Sequence, residues 1–276
     1  MSAKMKRRDF ITLLAGAAAA WPLAARGQPK LPSIGFIVAA TPAAERDRIA
    51  AFSQRLRELG WIEGRNIAID FRSAEGQSER LSDLATELVR LKVDVIVTYS
   101  SPAIIAAKEA TSLIPIVIAA AGDPIGTGLV ASLARPGGNV TGFSLQQSDL
   151  GGKRLALLRE ALPGLHRFAI MADVNGPFAA LEIGEVQATA RTLGLDVVKA
   201  EIRRAEDIAP AFAAFKGRVE ALYVVGSPLV NVNRIRINTF ALAARLPTIY
   251  GTRENVEIGG LMSSGANIVD PTSPCR

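Results

Sequence analysis

Val93–Pro102 reads VDVIVTYSSP, and Ala221–Pro228 reads ALYVVGSP. Each is a short apolar run of strand type that closes on small residues and a Ser-Pro pair, after which a helical period begins. Serine suits a helix cap and proline suits the first helical turn, so both stretches predict a strand turning directly into a helix. The matching extends outward. Leu59-Gly60 precedes the first stretch as Leu193-Gly194 precedes the second, and Ile114-Pro115 follows the first as Leu246-Pro247 follows the second. The offsets are 134 residues from Gly60 to Gly194, 126 from Ser101 to Ser227 and 132 from Pro115 to Pro247. Offsets that drift so little predict two α/β lobes of one plan.

Strands are expected at Ile34–Ala39, Asn66–Phe71, Val93–Tyr99, Ile116–Ala119 and Val140–Phe143, and again at Phe168–Ala172, Asp196–Ile202, Ala221–Val225 and Thr248–Tyr250. Helical periods separate them. Ala43–Gly60 places Ile49, Phe52, Leu56 and Leu59 on one face. A helix capped by Ser78 and running to Leu91 turns Leu81, Leu84, Leu88 and Leu91 inward. Helices are also expected at Pro102–Leu113, at Glu206–Lys216 and near Ile125–Leu133. Strands alternating with helices mean parallel βαβ units. The expected organisation is a first lobe over 28–145, a second over 146–265 and a crossing within Gly142–Gly152.

Composition narrows function. Of 276 residues, 49% are hydrophobic and 21% charged, an ordinary globular balance. The net charge of +6 is concentrated at the start, and from Gln28 onward 27 basic residues face 25 acidic ones. With 15 aromatics besides, a nucleic-acid partner is not indicated. One cysteine, Cys275, excludes an internal disulfide and a CxxC centre, and one histidine, His166, excludes a His-based metal cluster. Gly126–Ala131 (GTGLVA) imitates a dinucleotide fingerprint but stands six residues beyond its strand, so no cofactor is expected.

Residues 1–27 read as an export signal. A basic start is followed by the apolar Phe10–Ala25, too short for the roughly 20 residues that a membrane span needs. Lys6-Arg7-Arg8-Asp9-Phe10-Ile11 resembles the twin-arginine signal, so a periplasmic chain starting near Gln28, with no membrane span of its own after cleavage, is expected.

In an open parallel sheet, ligands bind beyond the carboxyl ends of the strands. That rule selects the corners Ser100-Ser101, Asp123, Asn175, Ser227 and Glu254 as candidate ligand residues. At Ser101 and Ser227 a plain helix cap competes with an anion or polar-group site. At Asp123 a cap for the helix expected near Ile125–Leu133 competes with a contact to a ligand ammonium or hydroxyl. His166 falls at the opposite end of its strand. No nucleophile, base and acid can be assembled from local spacing, and catalysis is not expected.

Ala107–Thr111 (AKEAT) with Ile114–Val117, Asp123-Pro124 with Gly128–Val130, Arg135–Gly142 (RPGGNVTG), Glu185–Leu195, Leu246–Glu254 (LPTIYGTRE) and Gly259–Ser263 share one further property. Together they resemble the substrate-binding proteins of ABC transporters, in the group that includes tryptophan- and tyrosine-binding members. The resemblance implies a periplasmic-binding-protein fold of type I kind: two hinged Rossmann-like lobes with parallel sheets close on a small ligand and deliver it to a permease in the inner membrane. It also implies that Ser100, Ser101, Asp123, Asn175, Ser227 and Glu254 face that ligand. The chain departs from the pattern at Asp173-Val174, where Asn-Pro is frequent, between Ser227 and Pro228, where an Asp is frequent, and at Ser264, where Tyr is usual. The last two weigh against an aromatic amino acid. A sensor subunit serving a membrane kinase and a Rossmann-like periplasmic enzyme are the alternative readings. From Pro271 the sequence leaves the pattern, so 266–276 reads as an aberrant tail of a shortened chain, expected to be less stable than longer relatives.

Overall fold

The computed structural model describes residues 30–132, 134–145 and 148–265; the export-signal reading at 1–27 and the tail at 266–276 lie outside them. In chain order the elements are β1 (Ser33–Val38), α1 (Arg46–Glu58), β2 (Ala68–Ser73), α2 (Leu81–Leu91), β3 (Val95–Tyr99), α3 (Ser101–Ala110), β4 (Ile116–Ala121) and β5 (Val140–Ser144). There follow α4 (Gly151–Ala161), β6 (Arg167–Asp173), α5 (Pro177–Thr192), β7 (Asp196–Ile202), α6 (Ile208–Phe215), β8 (Ala221–Val224), α7 (Pro228–Val232), α8 (Arg234–Ala243), β9 (Thr248–Tyr250) and β10 (Met262–Ser263).

Two five-stranded sheets result, ordered β2-β1-β3-β4-β5 and β10-β9-β8-β6-β7, with every pairing parallel. Read from β6 onward, the second order repeats the first, so the expected two-lobe α/β architecture is present and the duplication extends to topology. The apolar runs explain why. A parallel strand is covered on both faces, and β1, β3, β6 and β8 are almost wholly buried. In lobe one, α2 and α3 bury Leu81, Leu88, Ile104 and Ala107 against one face. On the other face α1 brings Phe52 to Phe36, ring centroids 4.9 Å apart, and Phe36 continues to Phe71 and Tyr99. In lobe two, α4 and α5 cover one face through Leu155, Leu158 and Val186, while α6 and α8 cover the other through Phe212, Phe215 and Ile237. Each such fully buried side chain stabilises by about 1.5–3 kcal/mol relative to exposure.

Four local expectations are corrected. No helix occupies residues 125–132: Asp123 Oδ1 takes the Gly126 N–H at 2.8 Å, and Leu129 and Val130 both donate to the Pro124 carbonyl. Gly128 at φ +72° then turns the chain away from helix. Ser78 opens a 3₁₀ turn, Ser78–Arg80, instead of capping α2, whose start makes no side-chain cap bond. Leu91 is exposed because α2 ends there, with Lys92 in the left-handed region. Leu59, just past α1, is exposed as well. The chain leaves the first sheet at Ser144, Ser148 is buried, and α4 then packs on α5 of the second lobe.

Candidate functional site

The carboxyl ends of both sheets open onto one cleft of about 930 Å³, its mouth included. Lobe one supplies Glu45, Arg48, Tyr99, Ser100, Ser101 and Leu145, and lobe two supplies Asp173, Asn175, Phe178, Ser227 and Asn231. The lobes approach closely around it. A Cβ placed on Gly122 of lobe one would stand 2.6 Å from the ring of Phe178 in lobe two, and one on Gly176 would stand 3.8 Å from Pro102. Only a residue without a side chain admits Phe178 at that distance.

The β3 corner is strained. Ser100 has φ +72° and ψ 136°, a conformation rare outside glycine, and it makes no side-chain cap bond to α3. Its Oγ is buried in the cleft wall without a hydrogen-bond partner. The register between β3 and β4 shifts at Thr98/Tyr99, beside the same corner. Its twin differs: Ser227 caps α7 in the ordinary way, accepting the Val230 N–H at 3.1 Å. The N-termini of α3 and α5 both reach the cleft, and first-turn N–H groups lack partners within their helix.

Asp173 ends β6 in the cleft wall. It accepts the Asn175 N–H at 3.1 Å, and the Ser227 hydroxyl also reaches it. Burial raises its carboxyl above the usual range despite these bonds. Across the cleft, Glu45 is 1% exposed and its Oε2 accepts from Arg48 Nη1 at 2.8 Å. Arg48 also lies 5.8 Å over the Tyr99 ring and donates through Nη2 to Glu254 at 3.0 Å. Burial works to lower Arg48, but Glu45 and Glu254 more than reverse it, and its affinity for the proton rises. Burial would raise Glu254, yet Arg48 pulls it below the usual carboxylate range. Burial and the charge of Glu45 push the Tyr99 hydroxyl far up, so it is neutral.

Of the residues selected from sequence, Ser100, Ser101, Asn175 and Ser227 are brought together on the cleft. The Asn175 amide is engaged with the Arg203 carbonyl at 2.8 Å. Asp123 lies off the cleft lining: besides its turn bond it accepts from Ser148 Oγ at 2.6 Å, tying the start of the second lobe's chain to the mouth of β4. Glu254 lines a neighbouring polar recess with Asp47, Arg234 and Glu257. His166 is exposed beside Glu220, at the far end of β6. The strand-mouth rule also turns Asp173, at the end of β6 ahead of Asn175, towards the cleft, without marking it as a ligand residue. Sequence reasoning missed Glu45, Arg48 and Phe178, because nothing local distinguishes these side chains from surface charge or core.

Among the described residues no cluster of three or more His, Cys, Asp or Glu could hold a metal ion, and no helix is long and apolar enough to cross a membrane. A tyrosine-binding protein of Clostridioides difficile is 28% identical over 214 residues, 78% of this chain and 61% of that relative, so the chain spans under two thirds of the relative's length. An ABC domain solved in complex with L-Trp, from Streptococcus pneumoniae, superposes with a TM-score of 0.79 at 23% identity, covering 87% of this chain and 80% of that one. A conserved domain protein from Vibrio cholerae does so at 0.81 and 25% identity, with the same coverage. The family model described as ABC transporter substrate binding protein matches residues 35–271, and the chain belongs to that family.

Proposed function

We propose that this chain is the solute-binding component of an ABC importer. It captures a small carboxylate-bearing ligand, an amino acid or a related organic acid, between its lobes and delivers it to a permease in the inner membrane. The observation that carries this reading is the cleft at the carboxyl ends of two parallel sheets, with both lobes lining it. Two helix N-termini favour an anionic group there, Asp173 and Ser227 offer acceptors for a donor group, and Phe178, Leu145 and Pro102 supply apolar walls. Kinship with a tyrosine-binding protein and with a fold solved around L-Trp supports a ligand of this size. The twin-arginine-like Lys6–Ile11 supports export to the periplasm, and the working step is closure rather than bond chemistry.

The test is a thermal-shift and calorimetric panel of amino acids and small organic acids on unfolded, dialysed and refolded full chain. A ligand at 100 times its Kd adds about 2.7 kcal/mol, which for a chain of this size raises Tm by about 5–11 °C. A flat panel, or a compound that is turned over instead of retained, overturns the proposal.

A further inference from the structure

The guanidinium of Arg48 is held by two carboxylates from different lobes. Glu45, immediately before α1, is buried in lobe one and fixes Nη1 at 2.8 Å. Glu254, in the 3₁₀ turn Arg253–Asn255 beyond β9, takes Nη2 at 3.0 Å from lobe two, 206 residues along the chain. The planar fork of arginine suits this division, because each end presents its own N–H groups in a fixed direction. Glu45 and the Tyr99 ring both belong to lobe one, so they keep Arg48 in place whether or not lobe two is near. Only the bond to Glu254 depends on the lobes being together. The location matters equally. Arg48, Asn231 and Thr252 border both the ligand cleft and the outer polar recess, so the pair stands in the wall between them. Glu254 itself borders the recess and not the cleft.

We propose that Arg48 and Glu254 form a clasp that holds the closed state and shuts the cleft on its α1 side, with Arg48 the fixed half, Glu254 the moving half, and neither required to touch ligand. This rests on the two-lobed binding reading, in which closure is the working step. The clasp biases the open–closed equilibrium by an interaction that exists in one state only. Its strength is that of a charge-assisted bond at a partly exposed site, which moves the closed-to-open ratio about tenfold.

The experiment measures closure in the absence of ligand, so it stands apart from the ligand panel. Nitroxide labels are placed at exposed Glu79→Cys in lobe one and Ile235→Cys in lobe two of the full chain with Cys275→Ser, and the inter-label distance distribution is recorded by pulsed electron resonance. Glu254→Gln should move the population towards longer distances by about a tenfold change in ratio. Glu254→Lys, which faces Arg48 with a like charge, should move it further, and high salt should move the parent in the same direction. Arg48→Gln with Glu254→Gln should add little to Glu254→Gln alone. Circular dichroism and Tm establish that each variant is folded, and Glu254 is exposed enough that its replacement spares the core. A distance distribution unchanged by both Glu254 variants, or equal and additive shifts from Arg48→Gln and Glu254→Gln, overturns the clasp even if the panel has found a ligand. A shifted distribution with a flat panel would leave the clasp standing and remove the transport reading.

Discussion

Replacing Glu182 by leucine removes one half of an ion pair that is buried on both sides. Glu182 on α5 and Arg154 on α4 are each 1% exposed, and Arg154 Nη1 donates to Glu182 Oε1 at 2.5 Å. The Tyr223 hydroxyl donates to the same oxygen at 2.7 Å, and Arg154 Nε donates to the Ser264 carbonyl at 2.6 Å. The network therefore joins both helices, the centre of the second sheet and the segment after β10. Removing the carboxylate takes the opposite charge away from a buried guanidinium that cannot shed its own, and leaves a buried phenol without its acceptor. Breaking a buried pair from one side costs about 3–5 kcal/mol. At about 2–4 °C per kcal/mol for a chain of this size, Tm should fall by about 6–20 °C. The reverse change, Arg154→Met, should cost less: burial already raises the Glu182 carboxyl against the pull of Arg154, so without Arg154 it can accept a proton. The double change Arg154→Met with Glu182→Leu should recover much of the loss. Urea midpoints and calorimetric melts of the four proteins decide it. A Glu182→Leu midpoint within about 1 kcal/mol of the parent, or a double variant no better than the worse single, would refute the reasoning.

Gly122→Val places side-chain atoms where Phe178 now sits, and should weaken binding of the best ligand in the panel by about tenfold or more while Tm stays within a few degrees, since the collision arises only on closure. Unchanged affinity by calorimetry would show that the lobes bind without meeting there. Ser100→Gly relieves a backbone conformation that costs about 1–3 kcal/mol, so it should raise stability by about 1 kcal/mol net of glycine's entropy and weaken the same ligand by removing Oγ from the wall. A lower urea midpoint for this variant would mean that the corner carries no strain.

Much of the fold was legible because its signal is local. A strand covered on both faces must be apolar along its length, as Thr248–Tyr250 is, while the edge strand Asp196–Ile202 alternates apolar with exposed residues, and both occupy the spans that their sequence predicts. The double set of Ser-Pro corners announced two lobes. The misreadings were local as well: Asp123 and Gly128 outweigh helical periodicity after Ile125, because a carboxylate that takes a nearby N–H and a left-handed glycine each compete directly with the helical bond.

The candidate site divides along the same line. That cleft-lining residues stand at strand mouths follows from the order of elements, and Ser100, Ser101, Asn175 and Ser227 were placed on the cleft in that way. What each side chain meets depends on the other lobe. Asp123 and Glu254 satisfy the same positional rule, yet one ties Ser148 to β4 and the other answers Arg48. The sequence by itself determined two repeated α/β units and the strand-mouth corners that line the cleft, since periodicity and caps are properties of neighbouring residues. Only the tertiary structure decided that Glu45, Arg48 and Phe178 share that cleft and that Gly122 must stay bare, because contacts between Arg48 and Glu254 or Gly122 and Phe178 exist only once the two lobes face each other.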